Sequence, residues 1–152
     1  MKRIKQIEEE ITKGVGAVFR FINPEYSTSI HHFKILIGID KSKAKDVLLF
    51  LTCTSKSIVM RSYVLISNVL IINKDEYCEL SEETSILCND IETVNIDDLV
   101  GKYLSDCEFK VCERISDDLL IRIYQVIKDS REVSKKHKKI IRKNLNQKGI
   151  ID

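Results

Sequence analysis

Two adjacent histidines stand at the start of an apolar run in SIHHFKILIGI, residues 29–39. Successive side chains of a β-strand point to opposite faces of a sheet, so a strand here would keep the two imidazoles from sharing one ligand. We expect His31 to be partly buried and hydrogen-bonded, and His32 to be exposed and titratable. The face predicted for His31 carries Phe33, Ile35, Ile37 and Ile39, and the opposite face carries Lys34, Leu36 and Gly38.

A second polar cluster, LTCTSKS at residues 51–57, ends an apolar run with hydroxyl side chains. Serine and threonine hydroxyls at such a place cap turns. They also bind phosphate oxygens when a strand ends at a groove. Both interpretations stay open for Thr54 and Ser55.

The charges of the chain are unevenly distributed. Residues 131–148 include eight Lys or Arg and one Glu, whereas residues 75–98 include nine acidic residues and no Lys or Arg. The basic segment fits either the solvated face of a terminal helix or a surface that contacts phosphates. The net charge of only +2 argues against a dedicated binder of duplex DNA.

Several common reactive motifs do not occur in the sequence. It has no P-loop, no GxGxxG, no nucleophile elbow and no HExxH. The five cysteines are widely spread, and the closest pair has no nearby histidine to complete a zinc site. We therefore expect reduced thiols that pack as small apolar groups, and we expect neither a metal nor a cofactor.

The composition is typical of one folded domain. The chain has 152 residues, 43% of them hydrophobic, and no low-complexity tract. The apolar runs are strand-sized and too short to span a membrane, and the N-terminal residues lack the apolar core of a secretory leader. We therefore expect a single domain over residues 1–152, a cytoplasmic location and no membrane partner.

Hydrophobic patterns predict the elements that would position the polar clusters. Ile4, Ile7 and Ile11 share one helical stripe, and Gly14 suits the end of that short N-terminal helix. Runs of β-forming residues then predict short strands with no helix between them. These strands are predicted at 16–22, 33–39, 47–54, 58–66, 68–73 and 84–91.

Two amphipathic helices are predicted at the end of the chain, at about 116–130 and 133–147, with Ser116 as an N-cap. His137 lies on the apolar stripe of the second helix, which favours packing over catalysis. Short strands without intervening helices favour a small antiparallel barrel over a parallel sheet. The predicted barrel core covers about residues 14–112.

Three stretches of the sequence resemble the MazF/PemK family of toxins. They are GAVFRF followed by a polar loop and HHFKILIG, then LFLTCTSK, then TSILCNDIETVNIDDLVGKYLSD with the later ISDDLLIRIYQVIKD. The likeness covers about residues 14–130. It implies an α+β, mainly β fold: an SH3-like antiparallel β-barrel, here with a short N-terminal helix and two C-terminal helices. It also implies a homodimeric endoribonuclease held inactive by an antitoxin protein.

The resemblance implies a site as well. His32 falls where the family has its catalytic arginine, Phe33 replaces a proline, and Thr54 or Ser55 falls at the family's hydroxyl position. In such RNases the 2′-hydroxyl attacks the adjacent phosphate, so catalysis needs a proton carrier and a cation for the phosphorane oxygens. Lys34 is the candidate for the missing positive charge. The candidate RNA-contacting residues are Arg20, Arg61, Lys135, Lys136, Lys139, Arg142 and Lys143.

Three functions remain open from the sequence. The first is a toxin-like, metal-independent endoribonuclease acting on single-stranded RNA, because A-form stacking disfavours in-line attack by the 2′-hydroxyl. The second is a catalytically inactive barrel that binds RNA or a protein. The histidine in place of the arginine and the few aromatic side chains favour this second function. The third is a structural protein whose terminal helices mediate assembly.

Overall fold

A computed structural model describes residues 2–22, 31–55 and 68–152. In these ranges six strands form one antiparallel sheet, and four α-helices flank it. The strands are β1 (Val18–Phe21), β2 (His32–Asp40), β3 (Val47–Ser55), β4 (Val69–Ile72), β5 (Thr84–Asn95) and β6 (Lys110–Cys112). The α-helices are α1 (Lys2–Lys13), α2 (Ile96–Ser105), α3 (Asp117–Asp129) and α4 (Lys135–Gln147), and a 3₁₀ turn spans Lys74–Glu76.

The sheet is open, with the strand order β4-β5-β3-β2-β1-β6. Within the described ranges, β4 pairs only with β5 and β6 pairs only with β1. The predicted antiparallel sheet with helices is confirmed, but the predicted closed barrel is wrong. Helices cover both faces of the sheet, so the apolar side chains of both faces are buried without closure of the sheet on itself.

One face of the sheet packs against α1 and α2. Ile7 and Ile11 of α1 and Leu99 of α2 are buried against it, which confirms the predicted stripe on α1. The helix α1 ends where Gly14 takes a φ of 90°, a left-handed conformation that glycine adopts without strain. The aromatic part of this core consists of Phe19, Phe21, Phe50 and Phe109.

The other face packs against α3 and α4. The side chains buried there from the two helices are Leu119, Leu120, Ile123, Ile127, Ile141 and Leu145. They meet Ile35, Ile37 and Leu49 of the central strands. Ser116 caps α3 by accepting a hydrogen bond from the Leu119 N–H, as the sequence predicts.

A bulge interrupts β2. Leu36 pairs with Phe50 and Gly38 pairs with Leu49, so Ile37 is an extra residue on its strand. Beyond the bulge, Ile39 belongs to the core under α1 and α2, whereas Ile35 and Ile37 belong to the core under α3 and α4. The single face predicted from Phe33 to Ile39 is therefore wrong at Ile39, because the alternation of side chains shifts at a bulge.

A larger irregularity interrupts the pairing of β3 with β5. Leu51 stands opposite Ile91 and Cys53 stands opposite Ile86, so residues 87–90 of β5 all lie opposite Thr52. The first part of β5 also pairs with β4. Beside this excursion, polar side chains from three strands meet: Lys34 of β2, Thr52 of β3 and Glu92 of β5.

Two elements were not predicted from the sequence. The helix α2 begins after Asn95, whose side chain accepts a hydrogen bond from the Asp98 N–H, and Asp97 and Asp98 occupy its first turn. The strand β6 has three residues, too few for a pattern. The predicted strand at 58–66 lies outside the described residues. No helix in the described ranges is long and apolar enough to cross a membrane.

Candidate active site

A cavity of about 290 Å³ lies at one end of the sheet. In the antiparallel pairings Phe21 stands opposite His32 and Ser55 stands opposite Thr84, so β1 and β3 end where β2 and β5 begin. Side chains at these four strand ends therefore come together although they are far apart in sequence. The cavity walls include three residues predicted for the site: Arg20, His32 and Thr54.

His32 is half-buried in the cavity wall, which corrects the expectation that it is exposed. Its Nδ1 lies 3.1 Å from the Cys53 carbonyl oxygen. Because a carbonyl only accepts, Nδ1 carries the proton and Nε2 of the neutral ring is left as a proton acceptor. Burial lowers the pKa of His32 below its usual 6.5, and the charges of Lys34 and Arg20 act in the same direction, against the Cys53 hydrogen bond. The ring is therefore neutral near pH 7.

Thr54 presents a buried hydroxyl without a hydrogen-bond partner. The residue is 6% exposed, and its Oγ1 has no partner within the described part of the chain. Its register partner Ser85 is also buried, and the Ser85 hydroxyl likewise has none among the described residues. Cross-strand partners share a face with Cβ atoms about 5 Å apart. An unsatisfied buried polar group costs about 1–3 kcal/mol, and of these two residues Thr54 lines the cavity whereas Ser85 does not.

Arg20 supplies a permanent positive charge to the cavity. Its guanidinium carbon lies 5.8 Å from the centre of the Phe33 ring, where the face of the ring attracts the cation. Arg20 and Phe33 are register partners on β1 and β2, so the sheet itself sets this contact. Arginine is a suitable donor for phosphate oxygens because its planar fork can hold two of them.

Lys34 lies beside the cavity but is absent from its walls. It is 2% exposed, and its Nζ donates to Glu92 Oε2 and to Thr52 Oγ1, each at 2.9 Å. The ammonium also lies 5.7 Å from the centre of the Phe21 ring. Glu92 therefore balances the charge of Lys34, which acts on His32 only through space.

His31 is partly buried and hydrogen-bonded, as predicted, but it precedes β2 and lines the cavity together with His32, so strand alternation does not keep the two rings apart. Its Nε2 lies 2.8 Å from Asp106 Oδ2, and its Nδ1 lies 3.3 Å from Glu108 Oε2. The two carboxylates come from the turn between α2 and β6. Because both ring nitrogens have these partners, His31 tethers that turn to the start of β2.

Glu82 and Thr84 line the cavity, and the sequence did not indicate either of them. The Glu82 carbonyl accepts a hydrogen bond from Thr84 Oγ1. Ser85 lies opposite Thr54 in the pairing of β3 with β5 but does not line the cavity. Only the strand order brings β5 beside Thr54, and no local pattern reveals that order.

The basic residues of α4 divide into two sets. Lys136, Lys139 and Lys143 line a separate groove beside the turn that joins β2 to β3. Lys135 and Arg142 are exposed but do not line that groove. Arg61 and the side chain of Ser55 lie outside the described residues.

Comparisons with known proteins identify no family for this chain. No family model matches it, and no curated protein matches it. All five cysteines are free. Among the described residues, no group of three or more His, Cys, Asp or Glu side chains is placed to hold a metal ion.

Proposed function

We propose that this protein binds single-stranded RNA at the cavity and cleaves it through attack of a 2′-hydroxyl on the adjacent phosphate. The observation that carries the proposal is the meeting of His32, Arg20 and the unpartnered Thr54 hydroxyl in one cavity. Each of the three has a chemical role in such a reaction, and no metal ion is required for any of these roles.

His32 acts as the general base. Its neutral Nε2 takes the proton from the 2′-hydroxyl while the O2′–P bond forms. The P–O5′ bond then breaks, and the departing 5′-oxygen takes a proton from water. The hydroxide left by that water takes the proton from the His32 imidazolium, so His32 is neutral again and the water is restored. The products are a 2′,3′-cyclic phosphate and a 5′-hydroxyl, and atoms and charge balance.

Arg20 and Thr54 stabilise the negative charge that grows on the phosphorane oxygens. The guanidinium is a fixed cation, and the Thr54 hydroxyl is a donor that makes no other hydrogen bond within the described residues. Donors held in place before the reaction stabilise a transition state more than groups that must first reorient. A flexible single strand fits this site because its 2′-hydroxyl can rotate in line with the phosphate.

The resemblance to MazF/PemK toxins supports the same activity. The part of the likeness on which we rely is the order of β1, β2 and β3, with β3 carrying Thr54 at the cavity. We propose on this basis alone that the protein is a divergent member of that family. A cytoplasmic location, a homodimer and control by an antitoxin protein belong to the same proposal.

A second candidate function is RNA binding without cleavage. One observation favours it: the Glu92 carboxylate balances the charge of Lys34, so Lys34 does not replace the family's arginine inside the cavity. The site would then hold a phosphate through Arg20 and Thr54 but not stabilise the transition state enough for turnover.

Cleavage of purified single-stranded RNA in the presence of EDTA tests the proposal. We expect His32→Ala to lower the rate by about 10²–10⁴-fold, as loss of a general base does. We expect Thr54→Val, which keeps the shape of the side chain, to lower it by about 10²-fold. The control His137→Gln changes a histidine of α4 outside the cavity and should cleave like the wild type.

The outcomes separate the two candidates. Cleavage that survives both His32→Ala and Thr54→Val would rule out this site. A wild type that binds RNA in a salt-sensitive way but never cleaves it would favour the second candidate. Growth arrest on expression of the wild type, but not of His32→Ala, is expected if the activity is that of a toxin.

A further inference from the structure

A basic groove of about 470 Å³ lies between α4 and the turn after β2. Lys136, Lys139 and Lys143 of α4 form one wall, and Lys41 of the turn lies in the other. All four lysines are exposed or partly exposed. The three on α4 are three and four residues apart, so they follow one another along about 10 Å of a single helix face.

The acidic side chain in this groove is already engaged. Asp40 Oδ1 accepts hydrogen bonds from the Ser42 N–H at 2.9 Å and the Ser42 hydroxyl at 2.6 Å. The side-chain bond from Ser42 is the main cause that lowers the pKa of Asp40, so the carboxylate stays charged. Four ammonium groups against this one carboxylate leave the groove strongly positive.

The charged donors of the groove outnumber its charged acceptor. Four lysines line it, while acceptor oxygens come from Asp40, Ser42, Asn144 and Gln147. A phosphate backbone presents almost only acceptors, so the lysine ammonium groups match it. This excess of positive charge fits a polyanion.

We propose that this groove is a second contact for the RNA strand bound at the cavity, and that it holds phosphates without reading bases. The proposal rests on the proposed function for the choice of RNA as the ligand. The groove walls contain apolar Ile39 and Ile140 but, within the described residues, no aromatic ring on which a base could stack. Recognition here is electrostatic and independent of sequence.

The positions of the two sites set the length of RNA that joins them. The cavity is at the start of β2 and the groove is at its end, in a strand of nine residues. At about 3.3 Å per residue the two ends lie about 26 Å apart. At the axial spacing of about 3.4 Å in a stacked strand, about eight nucleotides span this distance, and an extended, unstacked strand spans it in fewer. Phe33 at the cavity and Ile140 at the groove pack against the same core, on the side of α3 and α4.

Binding of 2′-O-methyl RNA tests this inference, because such RNA cannot be cleaved and its affinity does not depend on turnover. We would compare oligonucleotides of about 4 and 12 nucleotides, since only the longer one can reach both sites. The groove variant Lys139→Ala/Lys143→Ala is matched by Lys5→Ala/Lys128→Ala, which removes two exposed positive charges outside the groove and the cavity. Thermal unfolding checks that both variants fold.

We expect the wild type to bind the 12-mer much more tightly than the 4-mer, and the groove variant to bind the 12-mer at least 10-fold more weakly than the wild type. Its slope of log affinity against log salt should fall by about 1.4, or about 0.7 for each phosphate that the variant no longer binds. The control variant should bind the 12-mer within about 2-fold of the wild type. If the two variants bind the 12-mer equally weakly, the proposal that the groove binds RNA is wrong.

Displacement of the 12-mer by poly-glutamate at equal charge concentration would also overturn the choice of RNA, since it would indicate an acidic protein as the occupant. Failure of the proposed cleavage has a different signature. If the wild type never cleaves ordinary RNA but still binds the longer strand more tightly through the groove, the proposed RNase activity is wrong and the two-site contact stands.

Discussion

Thr52 and Thr54 are two residues apart on β3 and differ in what their hydroxyls contact. Thr52 Oγ1 accepts a hydrogen bond from the buried Lys34 ammonium, whereas Thr54 Oγ1 has no partner within the described residues. The same side-chain type thus stabilises the fold at one position and weakens it at the other. Such a weakness is expected where a ligand supplies the missing partner.

Opposite effects of valine at these positions are the first prediction. Thr54→Val removes an unsatisfied buried hydroxyl, so we expect it to raise the free energy of unfolding by about 1–2 kcal/mol. Thr52→Val removes the acceptor of a charged donor, so we expect a loss of about 1.5–3 kcal/mol. Urea titration of both variants measures the difference. A loss of stability in Thr54→Val as large as that in Thr52→Val would mean that its hydroxyl has a partner in the folded protein.

The pH dependence of stability is the second prediction. Burial lowers the pKa of His32 in the folded protein below the 6.5 of the unfolded chain. Between these two values the unfolded chain binds more protons than the folded protein, so stability rises with pH. The contribution of neutral His32 to the free energy of unfolding is complete above about pH 6.5. It is lost as the pH falls through the pKa of His32 in the folded protein.

Urea titrations at pH 7 and pH 5 measure this contribution. We expect the wild type to lose more stability on acidification than His32→Gln, whose side chain does not titrate. The lowered pKa of His137 acts in the same direction in both proteins and cancels from the comparison. Equal losses in the two proteins would show that His32 is protonated at the same pH in the folded and unfolded states.

At the scale of elements, Lys34 and Glu92 connect two strands that do not pair with each other. Lys34 is on β2 and Glu92 is on β5, with β3 between them. Both side chains are at most 3% exposed, and Thr52 of the middle strand accepts a second hydrogen bond from Lys34. The ion pair therefore links β2 to β5 across β3 beside the cavity.

Loss of one partner from this pair is the third prediction. Glu92→Gln removes the carboxylate that Lys34 Nζ contacts at 2.9 Å, so we expect a loss of about 3–5 kcal/mol in the free energy of unfolding. In the double variant Lys34→Met/Glu92→Leu neither charge of the pair is buried, and we expect a smaller loss than in Glu92→Gln. Chemical denaturation of the three proteins measures both differences. If the double variant is less stable than Glu92→Gln, the ion pair itself contributes net stability to the folded protein.

At the scale of the whole molecule, local patterns in the sequence predict single elements better than their arrangement. The stripe on α1 and the cap of α3 are local, and the structure has both. The choice between a closed barrel and an open sheet depends on which helices cover each face, and α2 was not predicted. The bulge at Ile37 likewise depends on the pairing of β2 with β3.

The candidate site shows the same limit. Strand alternation does not separate His31 from His32, because β2 begins at His32 and both histidines line the cavity. The predicted strands at 16–22 and 47–54 do contain Arg20 and Thr54. The charge balance of Lys34 depends on Glu92, which is 58 residues away. Thr84 of β5 and Glu82 before it also line the cavity, and the place of β5 beside β3 rather than beside β2 cannot be read from local spacing.

Arg114 joins distant parts of the chain before α3. Its guanidinium donates to the carbonyl oxygens of Glu10, Gly14 and Val15 and to the Glu10 carboxylate, at 2.7–3.2 Å. Gly14, for example, is 100 residues earlier in the sequence. The fork of an arginine reaches several acceptors at once, which a lysine cannot do in the same geometry. One side chain thus attaches the end of α1 to the second half of the protein.

The strand order has a consequence for how the chain folds. The central strands β2 and β3 are neighbours in sequence and are joined by the short turn at residues 41–46. A hairpin with so short a loop closes at a low entropic cost, so we expect it to form first and to offer its two edges to β1 and β5. The contacts of Arg114 with the end of α1 span most of the chain and form late. On the ribosome, α1 is synthesised before the other elements described here. Its end cannot form hydrogen bonds with Arg114 until residue 114 has emerged.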